Sequence, residues 1–164
     1  MKKTLTITAM ILAVFLAGCA GKTNAALAVL EEPASAPLGG AADYPAFCVT
    51  VADGFETMDM IGGVQIYKQT GEMLQIQVDG EGMTQGDDIP ILQSVNENYN
   101  GSGVREEELL GIDFHAISYT VSGVSQCMYT AVLGGKLVRI QATGESYDAL
   151  PDIKKMVESV TFKI

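Results

Sequence analysis

Chemistry in this chain would have to come from three cysteines, a single histidine and a pool of 20 aspartates and glutamates. Nucleophilic catalysis needs a nucleophile, a base within hydrogen-bond reach and a group that orients the base. His115 shares strand parity with Asp113, Ile117, Tyr119 and Val121, and no motif links it to Cys48 or Cys127. It reads as a satisfied structural histidine. Residues 79–88 (DGEGMTQGDD) gather four acidic residues and three glycines, a composition that invites calcium. The spacing lacks the alternating oxygen ligands and the closing Glu of a calcium loop. The segment reads instead as a solvated connection in which Asp88 caps the helix that follows. Met58, Met60, Met73, Met83 and Met128 offer thioethers suited to a soft metal, but nothing in the spacing makes them converge. Gly80-Glu81-Gly82 and Gly101-Ser102-Gly103 match neither a dinucleotide fingerprint nor a phosphate-binding loop. The reading therefore contains no catalytic residues, no metal and no cofactor.

Cys19 is different, because its neighbours define its chemistry. Lys2 and Lys3 precede a short apolar run, residues 5–15, and Leu16-Ala17-Gly18 leads directly into the cysteine. This arrangement resembles a bacterial lipobox. The run is too short to cross a hydrocarbon core, which takes about 20 residues. The resemblance implies cleavage between Gly18 and Cys19 and lipid attachment at the Cys19 sulfur, with two or more acyl chains giving stable anchoring. Residues 1–18 are then a lipoprotein signal peptide. Residues 19–43 are the lipidated cysteine and a flexible tether rich in Ala, Gly and Pro, and 44–164 form one globular domain. The place implied is extracytoplasmic, on the outer face of a cell membrane, or periplasmic or at the outer membrane of a two-membrane host.

The formal net charge is −10. Loss of Lys2 and Lys3 with the signal would take it to about −12, which argues against a nucleic-acid partner, since phosphate binding requires clustered Lys and Arg. The membrane reached through Cys19 and a protein or wall partner in the envelope are the partners expected. Cys48 and Cys127 are an even pair in an exported setting, where disulfides persist. Strand parity argues the other way, because Cys127 alternates with core residues and Cys48 sits opposite in phase to Phe47, Val49 and Val51. A bridge and two separate half-buried thiols both stay open.

The elements that would carry these residues follow from periodicity. Phe47, Val49 and Val51 alternate as a strand that ends at Asp53-Gly54, and residues 63–79 read as a hairpin with one apolar face. Pro90 opens a helix whose face carries Leu92, Val95 and Tyr99, and Asn100-Gly101 stops it. Residues 104–143 read as a meander in which Glu106-Glu107-Glu108 is a solvated edge. Gly134-Gly135 is a tight turn pairing Leu133 with Lys136, Ala131 with Val138, Tyr129 with Ile140 and Cys127 with Ala142. The opposite face pairs Thr130 with Arg139 and Met128 with Gln141, which suits solvent or an amphipathic cover. Pro151 opens a second helix with Leu150, Ile153, Met156, Val157 and Val160 on one face, and a last strand runs to Ile164.

In their order and spacing, four landmarks resemble the PsbP-like superfamily, which includes DcrB- and LpqN-type envelope lipoproteins. They are the opening strand into Asp53-Gly54-Phe55, the step Leu110-Gly111-Ile112-Asp113, the Tyr129 to Ile140 hairpin through Gly134-Gly135-Lys136, and the ending Lys155-Met156-Val157-Glu158-Ser159-Val160-Thr161-Phe162. The resemblance implies an α+β fold, an antiparallel β-sheet with helices packed on it as an α/β/α sandwich. It carries no activity, because a fold does not specify one. The function expected is that of a non-catalytic interaction or accessory module of the envelope. The alternatives are a carrier or sensor of a small or lipidic ligand, which needs a cavity between sheet and helices, and, further off, an enzyme.

Overall fold

The computed structural model describes residues 40–164. Gly18, Cys19 and the segment up to residue 39 lie outside the described residues. Ten strands and two helices follow in order: β1 (Ala41–Asp43), β2 (Phe47–Thr50), β3 (Glu56–Met60), β4 (Gly63–Tyr67), β5 (Met73–Asp79), α1 (Ile89–Tyr99), β6 (Arg105–Leu109), β7 (Ile112–Val121), β8 (Val124–Leu133), β9 (Lys136–Thr143), α2 (Pro151–Glu158) and β10 (Thr161–Phe162). They build a seven-stranded antiparallel sheet in the order β3-β4-β5-β9-β8-β7-β6 and a three-stranded sheet in the order β1-β2-β10.

Alternation decides what each face meets. In β4, β5, β8 and β9 the inward set, including Ile66, Ile76, Tyr129 and Ile140, is fully buried. It packs against Phe47, Val49 and Phe55 and against Ile153, Met156 and Val157 of α2, so the small sheet and α2 cover this side. On the other side Leu92 of α1 sits on Ile117, Tyr119 and Met128, with Val95 and Tyr99 at the rim. The amphipathic cover expected over Met128 is therefore α1. Asn100 ends that helix in the left-handed region at φ 51°, a conformation asparagine tolerates better than most residues.

The β8–β9 register is the one the Gly134-Gly135 turn implies, from Leu133 opposite Lys136 through Cys127 opposite Ala142. Three expectations are corrected. Ala41–Asp43, assigned above to the tether, is strand β1; Ala42 pairs with Val49 and is buried, so the ordered domain begins before residue 44. Glu56–Met60 is strand β3, missed because its alternation is short and polar, as befits an edge strand. Val124 and Ser125 belong to β8 rather than to the turn, which is only Ser122-Gly123.

Gly63 shows how closely β4 and β5 approach. A Cβ there would lie 2.0 Å from the carbonyl oxygen of Ile76, so the backbone itself would have to move. Gly63→Ala is expected to cost about 1–3 kcal/mol of unfolding free energy, the range for forcing extra atoms into a packed site. Urea denaturation reads it, and an unchanged midpoint would mean that the two strands have room to separate.

Candidate functional site

Asp88 is the one fully buried carboxylate among the described residues. It occupies the N-cap position of α1 yet makes no side-chain cap bond, which corrects the capping role expected from the sequence. Its carboxylate turns into the sheet. Thr130 Oγ1 donates to Asp88 Oδ2 at 2.9 Å, and His115 Nδ1 lies 2.8 Å from the same oxygen. His115 and Thr130 stand directly opposite each other across β7 and β8, on the face that α1 covers. Asp88 Oδ1 has no hydrogen-bond partner.

The geometry ties the start of α1 to the centre of the sheet. It also orients the His115 ring, whose side chain keeps 21% of its surface exposed. A carboxylate-oriented imidazole is half of a nucleophilic centre, and the other half is elsewhere. Cys127 points to the opposite face, into the main core, where its thiol donates to the Ala142 carbonyl at 3.7 Å. Burial pushes that thiol up to about 12, far from the thiolate a nucleophile requires.

Cys48 and Cys127 are both free thiols, so the bridge left open above is not formed. The reason is the parity already noted. Cys48 is half-buried on the outward side of β2, whereas its neighbours Phe47 and Val49 face the core. Three of the four acids of the acidic loop have partners within the domain. Asp79 pairs with Arg139, Thr84 donates through its N–H and its hydroxyl to Asp87, and Asp88 is spent on His115 and Thr130. The Thr84 bonds hold the Asp87 carboxyl below its ordinary range. Among the described residues no three His, Cys, Asp or Glu side chains converge on a point where a metal ion would sit.

Two open grooves mark the surface. One of about 630 Å³ is lined by Leu110, Ile112, Leu133, Val160, Phe162 and Ile164. The other, about 440 Å³, runs past Tyr44, Asp59, Met60, Val78 and Lys136. Both lie beside strands and turns rather than between the large sheet and a helix, where the carrier reading places its cavity.

On the outer face of the large sheet, α1 rests on β7 and β8. Over β4, β5 and β9 that face carries Gln65, Gln75 and Gln141 in cross-strand register, with Gln77 opposite Arg139 in the next row. Gln75 is only 9% exposed. The polar alternation of residues 63–79 is visible in the sequence; that it forms one row with Gln141 is not.

No family model matches the chain, and no curated protein matches it. Among solved structures it is similar to the solution structure of cyanobacterial PsbP (CyanoP) from Synechocystis sp. PCC 6803, with a TM-score of 0.51 and 11% sequence identity over 81% of this chain and 98% of that one. The fold is PsbP-like α+β, as the landmarks implied. At this identity the likeness is one of fold alone.

Two outcomes follow. Asp88→Ala leaves the buried Thr130 hydroxyl and the part-exposed His115 ring without their acceptor and is expected to cost about 3 kcal/mol in urea denaturation, while Thr130→Val, losing one hydrogen bond, costs about 1 kcal/mol; equal small losses would show the trio to be incidental. An alkylating reagent on the native chain at mildly alkaline pH should modify Cys48 and spare Cys127 until urea unfolds the domain. Modification of both at similar rates would contradict the burial of Cys127.

Proposed function

We propose that this chain is a membrane-anchored extracytoplasmic lipoprotein whose domain is a non-catalytic interaction or accessory module of the cell envelope, akin to DcrB- and LpqN-type proteins. The observation that carries this reading is Leu16-Ala17-Gly18-Cys19 at the end of an eleven-residue run behind Lys2 and Lys3. A cysteine there has a specific use, thioether attachment of diacylglycerol, and the acyl chains supply the membrane affinity that the acidic domain lacks. The domain supports a binding role through its architecture. The oriented His115–Asp88 pair stands on the opposite face of the sheet from the Cys127 sulfur, and its hydrogen bonds hold α1 in place.

Metabolic labelling with a palmitate analogue in a bacterial host tests the anchor. The wild-type chain should take up label, lose residues 1–18 by intact mass and partition into the detergent phase, and Cys19→Ser should do none of these. Label on the Cys19→Ser chain, or its absence from the wild type, would overturn the reading.

A further inference from the structure

We propose that the groove beside β10 takes up an extended peptide segment of a partner protein, which pairs with β10 as a fourth strand of the small sheet. The segment is apolar in its middle and basic at an end. The inference deepens the reading of the domain as an interaction module and rests on it. β10 is the outer strand of the small sheet and is held on one side, by β2. Val160, Phe162 and Ile164 form one wall of the groove, and Leu110, Ile112 and Leu133, at the β6–β7 and β8–β9 turns, form the other.

The backbone of β10 defines the kind of occupant. Lys163 N–H donates to the Ala46 carbonyl at 2.8 Å, so the backbone of Lys163 faces β2. Successive residues of an antiparallel strand turn their backbone groups to opposite sides. The N–H and C=O of Phe162 therefore face away from β2, and no backbone bond outside the ladders uses them among the described residues. A strand edge in this state is a template for another strand, because an extended peptide repeats donors and acceptors at the matching interval. No side chain that lines the groove is charged, so the side chains that enter it are apolar.

The turn across the groove breaks two local rules. Leu110 and Gly111 join β6 to β7 with φ of 59° and 72°. A two-residue hairpin turn with both φ positive suits Asn-Gly or Gly-Gly, and a leucine there carries strain that an asparagine would not. The Leu110 side chain is only half-buried, against the groove. Two positions back from the turn on each strand, Glu108 and Asp113 stand directly opposite each other. Both are exposed, and neither takes part in an ion pair among the described residues. Like charges in that position weaken a strand pair. A partner segment offsets both costs, since its apolar residues cover Leu110 and a Lys or Arg at its end answers the two carboxylates. The formal charge of −10 on the whole chain favours the same basic end.

The test selects binders to the full chain in detergent micelles from a displayed library of random short peptides, with empty micelles as the blank. Selection should enrich segments that alternate apolar residues and carry Lys or Arg at an end. The tightest of them, made synthetically, should lose about tenfold or more in affinity when alternate backbone amides are N-methylated, which removes strand pairing and keeps the side chains. Leu110→Asn should weaken it by about tenfold while the melting temperature holds or rises. Asp113→Asn should weaken it by about threefold at low salt and less at high salt. No enrichment over the blank, enrichment of acidic or proline-rich peptides, binding undiminished by N-methylation or in either variant, or a lower melting temperature of Leu110→Asn would each overturn the proposal. Palmitate labelling of the same preparation separates the two readings. A labelled chain that selects no peptide loses this inference and keeps the anchored module, and an unlabelled chain that selects such peptides does the reverse.

Discussion

Gly134 and Gly135 hold the turn between β8 and β9 with φ of 55° and 77°. Positive φ at both central residues is the backbone of the tightest hairpin turns, whose twist matches that of the strands they join. The turn leaves one register for the hairpin, and the hairpin is the middle of the large sheet: β5 pairs on one side of it and β7 on the other. Side chains alternate, so a slip by a single residue would send Tyr129 and Cys127 to the α1 side and drive Thr130 into the apolar core. Every face assignment in the domain inherits this setting.

Seen from that sheet, the two covers are of different kinds. The side facing α2 and the small sheet is one continuous apolar cluster, and apolar burial holds it. The side under α1 mixes a small apolar cluster with the Asp88, His115 and Thr130 bonds. A buried carboxylate is costly without partners, and here the two donors that offset the cost come from neighbouring strands. Their positions specify where the helix begins over the sheet, which an apolar contact alone does less sharply. The helix rests on β7 and β8, not on the glutamine row of β4, β5 and β9.

The chain also closes on itself. β10 pairs with β2, and Ser159 Oγ accepts the Thr50 N–H at 2.8 Å across a separation of 109 residues. Lys163 reaches back to Asp43 in β1. The first and last strands of the described domain thus complete one sheet, and Phe47 and Val49, which they hold in place, belong to the same core as α2. The cysteines take their characters from this arrangement. Cys127 is an inert member of the core, and Cys48 is a half-buried thiol on the outward side of β2.

Much of this is legible in the amino-acid sequence, because it depends on local rules. Period-2 alternation sets the faces of β4, β5, β8 and β9, glycine chemistry sets the turn and register, and the 3-4 spacing after Pro90 and Pro151 marks both helices. Strand phase already sets Cys48 and Cys127 against each other. What stays hidden depends on neighbours distant in sequence. Asp88 looks like a cap because caps are local, and only the packing of α1 over β7 and β8 offers its carboxylate better donors. β1 and β3 are too short and too polar to stand out until partner strands supply their hydrogen bonds. Gln75 reads as one polar position in a hairpin. The pairing of β5 with β9, joined across about 60 intervening residues, sets it beside Gln141. Alternation along a strand is written in the sequence, whereas which strands lie side by side, and how far a helix extends over them, is decided when the whole core is buried at once.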